Sequence, residues 1–212
     1  MNGISYRDLF PCLFILFFVV SCGAGKNNAS RSVGFEKEVK QKIKEYTAGG
    51  WKIHGTARTL DGKLTEYYGQ LEANPDLVEI IGTVNNVKSI NTARLAALNS
   101  ACNHYATRAA NHVKGRMLSD VQLNQSIGEE RDMFYAAYAD YVEKTAVNML
   151  KESFSMIRQN NSGSNDYETY FLADEKEARK VRQQALKNAL EEAVPGMEYS
   201  REIENFVNEK PE

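Results

Sequence analysis

LVEIIGTVNNVK, residues 77–88, followed by SINTARLAALNSACNHYATRAANHVKG, residues 89–115, is the passage on which the fold turns. The first part is rich in branched residues and sets Val78, Ile80, Gly82 and Val84 on one side of an extended chain, which predicts a strand. Gly82 interrupts that wall of side chains, and either admits a neighbouring helix or marks a bulge. The second part holds seven alanines between Ala93 and Ala110, with Leu95, Leu98, Cys102, Tyr105 and Val113 among them. Small residues permit close approach while the larger ones fill the remaining volume, so residues 91–114 are expected to form a central helix packed on a sheet. Gly115 is expected to end it.

Downstream, a polar link around Ser126-Ile127-Gly128 leads to a long helical segment expected over residues 129–157, with Phe134, Ala137, Tyr138, Tyr141, Thr145, Asn148 and Phe154 as core positions. Its start carries Glu129-Glu130, where the helix field favours negative charge. Tyr135, Tyr138 and Tyr141 are the candidate partner surface for a protein or glycan, because tyrosine offers a rigid ring with a hydroxyl that tolerates water. Core packing is the competing reading, and solvent exposure separates the two. QNNSGSND, residues 159–166, is a loop; YETYFL, residues 167–172, is an aromatic strand; Asp174 and Glu177 have the spacing of a capping box. The helix that follows carries Ala178, Val181, Ala185 and Ala189 on one face and stops at Pro195-Gly196, before a short terminal helix over 198–208.

Upstream, Phe35, Val39, Ile43 and Tyr46 mark a helix closed by Gly49-Gly50, WKIHGTA at 51–57 a short strand, and residues 60–71 a second helix. The β segments are too few for regular strand–helix alternation. The expected fold is therefore α+β, a small sheet packed against several helices in a single domain over residues 35–212, with a helical bundle as the alternative.

Residues 9–20, LFPCLFILFFVV, are apolar for twelve positions, whereas spanning a hydrocarbon layer of about 30 Å takes roughly 20. That length suits an export signal over residues 1–21. The run stops at Val19-Val20-Ser21-Cys22-Gly23, where a small residue precedes a thiol suited to accept diacylglycerol, so Cys22 is the expected lipidation site and a palmitate-type chain the expected acyl group. Several acyl chains on one cysteine hold a protein at a bilayer without a spanning helix. Residues 22–34 are rich in Gly, Asn and Ser and read as a flexible tether. With Cys12 removed and Cys22 acylated, Cys102 is left alone and no internal disulfide forms in a monomer.

The passages IIGTV, the following Ala93, Ala97 and Ala101, and YETYFLADEKEA together resemble a family of small bacterial membrane-associated lipoproteins whose domain is similar to the N-terminal domain of flagellar assembly protein T. The resemblance implies an α+β domain in the periplasm or at the outer membrane with an assembly, scaffolding or unassigned envelope role. It carries no catalytic or binding residue, and the region from Phe35 to Asp76 departs from it.

Residues suited to chemistry are scattered. His104 and His112 lie about 12 Å apart along one helix, too far to share a metal, and His54 reaches them only through the fold. Cys102 and His104, two apart, point in different directions, and Cys102 reads as a small buried hydrophobe. Glu191-Glu192 reads as a solvated pair, and no phosphate loop or nucleophile elbow is present. A net charge of −2 gives no global electrostatic case for nucleic acid. The expected role is binding or scaffolding at a bacterial membrane, most simply the outer membrane facing the periplasm or the cell surface, with no catalytic residue, metal or cofactor. An envelope hydrolase built from histidine and carboxylates, or a carrier of a small ligand, is the alternative.

Overall fold

Strands β1 (Lys52–His54), β2 (Leu77–Val87), β3 (Lys151–Gln159) and β4 (Asn165–Asp174) pair antiparallel in the spatial order β1-β3-β4-β2. The computed structural model describes the backbone of residues 25–120, 128–193 and 200–211, with side chains over 36–119, 131–192 and 201–211. Its helices are α1 (Gly25–Ala48), α2 (Leu60–Ala73), α3 (Ile90–Asp120), α4 (Gly128–Ala146), α5 (Glu175–Ala193) and α6 (Ser200–Asn208). The chain divides into a unit of residues Met1–Lys37 and a unit Glu38–Glu212, and the second is the single α+β domain that contains the sheet.

One face of the sheet is made by Val78, Ile80, Phe171 and Ala173, which join Ala101, Tyr105, Val113, Phe134, Tyr138, Ala185 and Ile203 of the helices in one core. Gly82 admits α3 against β2, as one of the two sequence readings has it. The other face is aromatic, and its hydroxyls are bonded within the protein. Phe154 and Tyr170 stack at 4.5 Å between centroids, Tyr67 meets both edge-on, and the Tyr67 hydroxyl donates to the Phe171 carbonyl at 3.3 Å. Residues 38–48 of α1 close this layer through Lys42, which donates to the Tyr68 hydroxyl at 2.7 Å, and through a Tyr46–Tyr170 hydroxyl bond. Burial pushes the hydroxyls of Tyr67, Tyr68 and Tyr170 up, so they remain protonated donors at neutral pH.

Glu168 shares that face, and desolvation raises its carboxyl above the ordinary glutamate range despite the nearby Arg158. A carboxyl raised in the folded state binds its proton more tightly folded than unfolded. Its contribution therefore favours the fold at low pH and is lost as pH rises from about 4.3, the unfolded value, through the folded one. Glu168→Gln is expected to stabilise the protein at neutral pH and to flatten that decline. Urea midpoints measured across the acidic range check it, and an unchanged slope refutes it.

Several boundaries differ from the sequence reading. The helix expected to run to residue 157 stops at Ala146, where Asn148 N–H donates to the Thr145 carbonyl and Met149 N–H to the Ala146 carbonyl in a turn; Asn148 is exposed rather than core. Residues 153–156 alternate Ser-Phe-Ser-Met, and pairing with β4 makes them strand, so Phe154 is a core residue of β3 rather than of a helix. The Asn160 side-chain oxygen accepts from Ser162 N–H and Ser164 N–H and closes the β3–β4 hairpin. Gly115 lies inside α3, because beyond it Met117 is buried and Arg116 pairs with Glu209, and those contacts outweigh the roughly 1 kcal/mol that a helical glycine costs. Residues 25–34, read as part of a spacer, are helical in α1. Asp174 does cap α5, accepting from Lys176 N–H at 2.9 Å, whereas Glu177 turns to Lys180 instead of reaching back. The leader, Cys22, Ser126-Ile127 and Pro195-Gly196 lie outside the described residues.

Candidate functional site

β1 ends at His54 because Gly55 takes φ of 77°, a conformation open to glycine, and carries the chain out of the sheet. His54 sits opposite Ser155, so the earlier part of β3, residues 151–154, has β4 on one side and, among the described residues, no strand on the other. A cavity of about 320 Å³ lies along that edge. Helix α2, whose N-cap Thr59 accepts from Gly62 N–H at 3.2 Å, supplies Lys63 to its lining, and the first turns of α3 supply Ile90, Asn91 and Arg94. Within β3 the register slips by one residue: Glu152 faces Phe171 and Phe154 faces Tyr170, leaving Ser153 as a bulge. Bulges re-aim side chains and recur beside working sites.

Glu152 organises the cleft. One of its oxygens accepts from Arg94 Nε at 3.1 Å and Nη2 at 2.7 Å, and the other from Ser155 Oγ at 2.9 Å. Since a carboxylate only accepts, Ser155 gives its proton to Glu152 and takes its second bond from the Thr169 hydroxyl at 3.0 Å. His54 is the cross-strand neighbour of Ser155 and invites a nucleophile–base reading. The geometry does otherwise: the seryl proton points to Glu152, Ser155 is 2% exposed, and the imidazole lies against the Tyr167 ring at 5.7 Å. Ser155 ties the bulge to β4.

No family model, curated protein or solved structure matches the chain. The site therefore rests on its own geometry. The three histidines fall in two places: His54 in the cleft, and His104 and His112 along one pocket on α3, where His104 Nδ1 donates to the Ile81 carbonyl at 3.1 Å and His112 Nε2 stands 3.2 Å from Glu209, a carboxylate shared with Arg116. Among the described residues no three of His, Cys, Asp and Glu gather to hold a metal ion. Cys102 is buried, as its alanine-rich setting predicts, and burial pushes its thiol up.

At Tyr138 the tyrosine stripe takes the core-packing reading and not that of a partner surface. Tyr138 is fully buried and stacked on Phe134 at 6.1 Å, because α4 packs against both α3 and α5. Tyr135 and Tyr141 are half-buried flanks, and the Tyr141 hydroxyl donates to Glu192, one of the acidic pair read as solvated. A second groove, about 450 Å³ and lined by Leu95, Leu98, Val147 and Leu150, adjoins the cleft and shares Asn91, Arg94 and Glu152 with it. A helix over residues 129–157 leaves no place for either opening. The signal that marks β3 is the two-residue alternation at 153–156 ahead of an Asn/Ser/Gly turn and a second strand, a hairpin pattern.

Proposed function

We propose that this protein is a lipid-anchored bacterial envelope protein whose α+β domain serves binding rather than catalysis. The observation that carries it is the junction Val19-Val20-Ser21-Cys22, at which a twelve-residue apolar run ends on a small residue and a thiol. Lipid on that thiol holds the folded body at a membrane, in our reading the outer membrane, and frees the cleft beside β3 to meet a partner. The wiring of the cleft supports binding, since Ser155, Glu152 and Arg94 hold one another and the Ser155 proton goes to Glu152 rather than to His54.

Cys22→Ala (C22A) is expected to abolish incorporation of labelled palmitate and to release the protein from the membrane fraction. Labelling of the variant at the level of the parent chain, or a native mass carrying the leader and an unmodified Cys22, overturns the anchor.

A further inference from the structure

We propose that the open edge of β3 at residues 151–154 docks an extended acidic peptide, which adds to the sheet in line with β1. The inference rests on the binding reading above and is independent of the lipid at Cys22.

The two edges of the sheet are treated differently. On β2 the Thr83 N–H donates to Ser100 Oγ at 3.2 Å and the Ile81 carbonyl accepts from His104, so α3 side chains occupy groups that a further strand would need. On the other edge β1 covers only residues 155–157 of β3. The remaining stretch is about 13 Å long at about 3.3 Å per residue; its residues 152–154 border the 320 Å³ cavity, and among the described residues no strand pairs with it there. An exposed strand edge of this kind is a template for main-chain pairing, and peptide recognition by strand addition uses it.

Charge selects the occupant. On the α2 side Lys63 lines the cavity, and it shares the carboxylate of Glu66 with the neighbouring Arg58, at 3.0 and 2.7 Å. Opposite, the Arg94–Glu152 pair is 67% and 30% exposed, so the Arg94 guanidinium can take a second carboxylate from the solvent side while it keeps Glu152. Among the described residues Glu152 is the sole carboxylate lining the cavity, against Lys63 and Arg94. Successive side chains of an added strand point alternately to the two sheet faces and so meet Lys63 on one and Arg94 on the other. A strand in line with β1 runs from Phe154 toward Lys151, which delivers its C-terminal end to the apolar groove beside Leu95 and Val147. The sequence that fits is acidic first and apolar last.

The probe is fluorescein-labelled Glu-Glu-Thr-Leu-Leu amide, titrated against the full-length chain in detergent and followed by anisotropy and by hydrogen exchange of the 152–154 amides. Saturable binding with slowed exchange at those amides is expected. A copy with alternate backbone nitrogens methylated keeps the charge, removes the pairing donors and is expected not to bind. The Lys63→Glu, Arg94→Glu double variant is expected to bind about tenfold more weakly. Equal binding of the methylated peptide, or binding without amide protection, overturns strand addition. No binding leaves the Ser153 bulge as a guard on the edge and overturns the proposal outright, while Cys22 labelling then still tests the anchor separately.

Discussion

Gly82→Ala is expected to destabilise the domain by about 3 kcal/mol or more, the upper end of the range for overpacked positions. A Cβ on residue 82 would stand 1.8 Å from the Ala97 carbonyl oxygen and 2.7 Å from its carbon, so β2 and α3 must separate to admit one methyl group. Both atoms are backbone, and no rotamer change relieves them. Trimming the neighbour therefore does not help: Ala97→Gly is expected to leave the Gly82→Ala defect in place, and Ala101→Gly to relieve only the 3.1 Å contact with the Ala101 methyl. Denaturant midpoints for the single and paired variants check this. A Gly82→Ala protein within about 0.5 kcal/mol of the parent means that α3 does not lie this close to the sheet.

Arg182→Met has the second large effect, an expected loss of about 3 to 5 kcal/mol, because it strands a buried charge. Arg182 is 1% exposed and spends its donors on four acceptors: Glu175 at 2.6 Å, the Tyr105 hydroxyl at 2.7 Å, and the carbonyls of Val207 at 2.8 Å and Glu209 at 3.0 Å. It thereby joins α5 to α3 and fastens the chain after α6. Glu175 is itself buried, with one oxygen lacking a protein partner, and its next cation, Arg179, stands 4.0 Å away. Removing the guanidinium leaves that carboxylate without compensation. Arg182→Met combined with Glu175→Gln is expected to recover part of the loss, and a double-mutant cycle measures the coupling. Strict additivity would show that the two groups do not act as a pair.

Much of this architecture was legible in residues 77–115 and 165–193. Val78, Ile80 and Gly82 alternate, the alanines of 93–110 follow helical spacing, and Asp174 stands where a cap is needed, so each element declares itself through local periodicity or capping. β3 did not, because Phe154 was also compatible with the tyrosine-rich helical stripe before it. Only pairing with β4 decides between the two periods. The same ambiguity concealed the cleft: His54, Lys63, Arg94 and Ser153 are far apart in sequence, and no local spacing announces that β1 stops one residue short of the Ser153–Phe154 edge.

Composition and periodicity alone established an α+β chain, its long alanine helix and the thiol at the end of an apolar run, because those signals are carried by neighbours within a few turns or strand residues. The folded state alone decided that Tyr138 is core, that Gly115 lies inside a helix, that Arg182 is buried among acceptors and that β1 pairs with only residues 155–157 of β3, beside Lys63 and Arg94. Each of those outcomes depends on what packs across from a residue. A one-dimensional pattern records the faces a segment can present, and which of them meets another is settled by the packing and desolvation energies of the assembled whole.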